Sequence, residues 1–171
     1  MGFLDTVLDI VTNPVLFVPA SAWFIAQVLK WIINAIVNKK FDFSRLVGDG
    51  GMPSGHSATV TALALMIGLS GGFNTPAFGL AMIFAIVVMH DATGVRRESG
   101  KHAISIIQMA EMLNDHLYAE DEKDQFNTDT LKVFVGHTPL QVACGAALGA
   151  ALALSYWFLI APALNWPTVA A

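Results

Sequence analysis

Two short stretches place a histidine where a long apolar segment begins. In GGMPSGHS, residues 50–57, His56 follows Ser54 and Gly55; in GHTPLQ, residues 136–141, His137 directly precedes Thr138 and Pro139. Ser54 is suited to cap a helix start, and Thr138 with Pro139 reads as a cap and first helical position. A helix start presents free backbone N–H groups and a partial positive charge, both of which favour a bound anion. Gly50, Gly51, Gly55 and Gly136 allow the backbone to approach such an anion closely. Lys40, Arg45, Arg96 and Arg97 lie in the adjoining loops. Two imidazoles, several cations and two helix starts together describe a phosphate site.

The residue types suit phosphoryl transfer. One neutral imidazole attacks phosphorus while a second, protonated imidazole gives its proton to the departing oxygen. Histidine fits both tasks because its ordinary pKa lies near neutrality. Fixed cations and N–H groups stabilise charge on the phosphoryl oxygens, so the chemistry calls for no metal or other cofactor. A metal site built from His90, Asp91, Glu98 and His102 matches no strong ligand spacing. His90, His102 and His116 are read as structural or surface residues.

The elements that must position these groups are membrane helices. The chain has 171 residues, 55% of them apolar and only 13% charged, with a mean hydropathy of +0.60. That is too little charge to cover a soluble globule of this size, so an all-α transmembrane bundle is expected. Four apolar segments, 14–37, 56–73, 76–91 and 139–160, read as spans, the second of them shorter than the first. Gly145, Ala146, Gly149, Ala150 and Ala153 would let the last span pack closely on its neighbours. Residues 92–138 form a connecting loop that includes an amphipathic helix over Glu98–Ala119, expected at the membrane interface or over the site. Residues 2–11 make a second, shorter amphipathic pattern. The whole chain reads as one membrane domain.

If the spans alternate in direction, both histidine-bearing starts fall on one side. Eight of the nine Lys and Arg residues fall there too: Lys39, Lys40, Arg45, Arg96, Arg97, Lys101, Lys123 and Lys132. Lys and Arg in short loops face the cytoplasm, which places the site there and both termini outside. Lys30, the remaining cation, lies with Gln27 inside the first span and is expected to face protein or water rather than lipid. It is counted among the candidate phosphate ligands. The same two residues would suit a transport path, which four spans line only within a homo-oligomer.

Other classes are disfavoured. A net charge of −4 without a basic cluster argues against nucleic acid. The single cysteine, Cys144, offers no disulfide framework. The N-terminal residues lack the basic region and cleavage site of a signal peptide, so no removal is expected.

MPSGH at 52–56 resembles the PSGH motif of the type-2 phosphatidic acid phosphatase superfamily, which also holds acid phosphatases and vanadium haloperoxidases. HTPLQVACG at 137–145 is similar to its terminal motif. GGMPSGHSA, HDATGVRRESGKHA and GHTPLQV, in this order, resemble the superfamily's divergent branch of small bacterial and plastid membrane proteins. The resemblance implies that His137 is the nucleophile that forms a phosphohistidine, that His56 is the general acid, and that Ser54 and the Gly55 N–H bind phosphate. It implies a lipid or isoprenoid phosphate as substrate and a bacterial cytoplasmic membrane as location. Three positions depart from the pattern. Gln141 stands where an aspartate orients the nucleophile; a glutamine can fix the tautomer by hydrogen bonding but cannot neutralise an imidazolium, so Asp91 or another acid would have to fill in. Lys39 and Lys40 precede Arg45 by six and five residues rather than seven, with Leu46 in place of proline. Leu131 replaces an arginine six residues before the nucleophile, a charge that Arg96 or Arg97 would have to supply. Loss of the orienting aspartate also fits a protein that binds lipid phosphate without turning it over.

Overall fold

The computed structural model describes residues 2–39, 51–117 and 136–164, which are helical apart from short turns and caps. Lys40, Arg45, Lys123, Leu131 and Lys132 lie outside the described residues. In chain order the helices are α1 (Phe3–Thr12), α2 (Pro14–Asn38), α3 (Gly55–Gly71), α4 (Pro76–Thr93), α5 (Val95–Leu117) and α6 (Pro139–Ser155), the last extended by a π-helical turn at Tyr156–Ile160. The four expected spans correspond to α2, α3, α4 and α6 with its π turn.

Local chemistry sets the ends. Asn13 caps α2 by accepting from the Val15 N–H at 2.9 Å, with Pro14 at the first helical position. Gly72 ends α3 with φ at +98°, a conformation that side chains resist. Thr75 then caps α4 by accepting from the Phe78 N–H at 3.3 Å. A single residue, Gly94, separates α4 from α5, so the helical path continues from one to the other.

Among the described residues three helices, Pro14–Asn38, Pro76–Asn114 and Pro139–Ile160, are long and apolar enough to cross a membrane. Within the second, α4 supplies the apolar stretch. At 17 residues α3 measures roughly 25 Å, short of a full crossing. It occupies the middle of the bundle, packed by α2, α4 and α6. Phe17, Phe24, Leu80, Ile83, Phe84 and Val87 point outward, as a lipid-facing surface requires.

The core is built largely from small side chains: Ala22 and Ala26 of α2, Ala58 and Ala62 of α3, and Ala153 of α6 surround Val18, Met66 and Tyr156. Water supplies no force between helices inside a bilayer, so close van der Waals approach must hold them together. The closest approach is between α3 and α6. A Cβ on Gly145 would collide with the Ser54 carbonyl oxygen, and one on Gly149 with that of Ala58. Of the five small residues expected on this helix, Gly145, Gly149 and Ala153 are the buried ones. Because 54 and 58 pair with 145 and 149 in the same order, α3 and α6 run parallel, and both start at one end of the bundle.

α1 and α5 stand apart from this core. The apolar face of α1, Phe3, Leu4, Val7, Leu8 and Val11, is exposed, as are Ile106, Met109 and Leu113 of α5. α5 begins at Val95 rather than Glu98, because only Gly94 interrupts the helix before it.

Candidate active site

Two helix caps bring the histidines together. Ser54 caps α3, its Oγ accepting from the Ser57 N–H at 3.4 Å and from the Ser57 hydroxyl at 3.0 Å. Thr138 caps α6 in a reciprocal box: its Oγ1 accepts from the Gln141 N–H at 3.3 Å, and its N–H donates to Gln141 Oε1 at 3.0 Å. A backbone bond joins the two starts, since the Ser54 N–H donates to the Gln141 carbonyl at 3.0 Å. The first turn of α6 therefore holds the cap of α3 in place.

His137 is buried, with 6% of its surface exposed, and His56 is half-buried. Their rings face each other edge to face, with centroids 6.3 Å apart and planes at 67°. The His137 N–H donates to the Ala92 carbonyl at 3.0 Å, which ties the segment before α6 to the end of α4. Gly136 lies on the Arg96–Arg97 backbone so closely that any side chain would collide with it. Backbone contacts thus hold the approach to His137 on two sides.

The α2 helix lines the same end. Trp23 packs on Gly55, its ring 3.3 Å from where a side chain would stand, and the stem of Lys30 packs on Gly51. Lys30 and Gln27 are buried, 8% and 7% exposed, as expected for polar residues inside a span. Among the described residues the buried polar side chains are Gln27, Lys30, Ser54, Ser57 and His137. Each lies at the end where α3 and α6 begin.

The remaining candidates sit at the rim. Asp91 accepts from Arg96 Nε at 2.7 Å, and their side chains are 40% and 53% exposed. The backbone of Arg97 lies under Gly136, with its side chain exposed. Beyond them Lys101 donates to Glu98 at 2.6 Å. Among the described residues no three His, Cys, Asp or Glu side chains converge as a metal ligand set, and His90, Asp91, Glu98 and His102 form none.

Two side chains take roles beyond those expected from the sequence. Gln141, at the position of the orienting aspartate, spends its carbonyl on capping α6. The Thr138-x-x-Gln141 spacing is the signature of such a box and carried this signal. Ser57 joins Ser54 in the cap, a contact foreseeable only once α3 is known to start at Gly55.

A model of the Divergent PAP2 family matches residues 11–152. Over 160 residues the chain is 37% identical to an uncharacterized membrane protein, YuiD, of Bacillus subtilis (strain 168), covering 89% of this chain and 100% of that one. No solved structure matches it. The family match spans the helices that carry both histidines, and the chain is an integral membrane protein that belongs to the divergent PAP2 family.

Proposed function

We propose that this protein is a metal-independent membrane phosphatase that hydrolyses a lipid or isoprenoid phosphate through a phosphohistidine. The observation that carries this reading is the pair of facing imidazoles, 6.3 Å between centroids, at two helix starts tied by a backbone hydrogen bond. Attack needs about 3–3.5 Å to phosphorus and proton donation about 2.6–3.2 Å, so rings at this separation reach one phosphoryl group. His137 forms a bond to phosphorus as the bond to the ester oxygen breaks, and His56 delivers a proton to that oxygen. Water then attacks the phosphohistidine and gives its proton to His56, which releases inorganic phosphate and restores both rings. Lys30, Ser54, the Gly55 N–H, Arg96 and Arg97 bind the phosphoryl oxygens, and Lys40 and Arg45 are further candidate ligands by their place in the sequence. The lipid chain stays in the bilayer beside the bundle.

The test is phosphate release by purified protein from a panel of lipid phosphates in EDTA. Wild type is expected to turn over, and His56→Ala and His137→Ala are expected to lose at least about a hundredfold in rate. Equal rates for wild type and both variants would overturn the reading.

One observation favours a second reading, a lipid-phosphate-binding protein without turnover. The Gln141 carbonyl is committed to the α6 cap and Asp91 to Arg96, so each acid-position candidate already has a partner. Trapping of bound phosphate or vanadate without any phosphohistidine would select it. The site is proposed to face the cytoplasm on the distribution of Lys and Arg. Cysteines placed at 45 and 74 in a Cys144→Ser background are expected to label from the inside and the outside respectively.

A further inference from the structure

Gln27 has no part in the reaction just described, yet it lies at the level of the site. It sits on α2 between Ala26, which packs with Trp23 on Gly55, and Lys30, which packs on Gly51. One turn of rise, roughly 5 Å, separates it from Lys30. Its side chain is buried, 7% exposed, and among the described residues Oε1 has no hydrogen-bond donor. A buried acceptor without a donor is uncommon in a folded protein and calls for a specific explanation. Here the explanation is a donor that arrives with the ligand.

We propose that Gln27 is a specificity residue whose Oε1 accepts a hydrogen bond from the P–OH of a singly protonated phosphate headgroup. The inference rests on the phosphate-site reading and adds a selection rule to it. Phosphoryl oxygens without protons are acceptors only, so they suit Lys30 and the helix-start N–H groups and cannot satisfy Gln27. A monoester that keeps one proton offers a donor. A diester has none, and it leaves the carbonyl of Gln27 buried and unsatisfied, which a polar site rejects.

The probes are methylphosphonate and its monomethyl ester, neither of which carries a hydrolysable phosphate ester. At about pH 6 each bears close to one negative charge, but only the first holds a P–OH. Binding to the full-length protein in detergent is measured by calorimetry. Wild type is expected to favour methylphosphonate about tenfold or more. Gln27→Met and Gln27→Leu remove the acceptor and are expected to bring the ratio near one while the ester still binds. Gln27→Glu keeps an acceptor and is expected to retain the ratio, although its charge weakens both probes. Equal binding by wild type, or an unchanged ratio in Gln27→Met, overturns the role of Gln27 and leaves the phosphatase reading intact. Failure of both probes to bind wild type removes the phosphate site itself, and both readings fall with it.

Discussion

His56 lies in the first turn of α3 and His137 just before α6, so the separation of the two imidazoles is expected to depend on the contact between these helices. Gly149→Ala tests this. A methyl group there would collide with the Ala58 carbonyl oxygen, whereas an ordinary contact begins near 3.4 Å. α3 and α6 must then part by roughly 1 Å, since neither backbone can yield at the contact. Overpacking of this kind costs about 1–3 kcal/mol, and loss of a helical glycine returns about 0.5–1 kcal/mol, so a net destabilisation of about 1–2 kcal/mol is expected. A displacement of roughly 1 Å at the reacting groups costs about a hundredfold in rate. The control is Gly79→Ala on α4, where nothing lies within 4 Å of the added methyl group. It is expected to raise the melting temperature slightly and to leave turnover unchanged. Both variants are measured by thermal unfolding in detergent and by phosphate release. If Gly149→Ala behaves like Gly79→Ala in both assays, the glycine seam does not position the site.

Asp91→Asn removes a half-exposed ion pair, so stability is expected to change by less than about 1 kcal/mol. Its kcat is expected to fall less than tenfold, and a loss near 10⁴, as for a missing orienting acid, would reassign Asp91 to that role. Lys30→Met removes a buried charge together with the interaction that it makes, so melting is expected to fall while KM for a lipid phosphate increases at least about tenfold. An unchanged KM would remove Lys30 from the phosphate site. Thr138→Ala deletes the α6 cap and is expected to cost about 1 kcal/mol in thermal unfolding, with Gln141→Met costing a similar amount because it breaks the same box. Full stability in both variants would mean that the box is dispensable.

Much of this arrangement follows from local signals. Hydropathy marks α2, α4 and α6, and Ser54 and Thr138 each cap the helix that their sequence context announces. The spacing of Gly145, Gly149 and Ala153 foretells a close crossing, but not that the partner is the backbone of α3. That depends on which helices neighbour each other, which no local pattern records. The burial of Lys30 is legible from its place in a span, while its contact with Gly51 needs the register between α2 and the loop before α3. Gln141 shows the opposite case. Comparison with the superfamily pattern drew attention to the missing aspartate, and the plainer local rule for helix caps explains where its side chain goes.

The parallel course of α3 and α6 has an electrostatic consequence. Each helix start carries roughly half a positive elementary charge, and here two like ends lie side by side at the surface of a low-dielectric slab. Their mutual repulsion disfavours the native fold, and an oxyanion seated between them removes it. Orthophosphate or vanadate should therefore raise the melting temperature of the protein, whether or not any ester is cleaved. Anions that reach the site would then govern how tightly the bundle holds together.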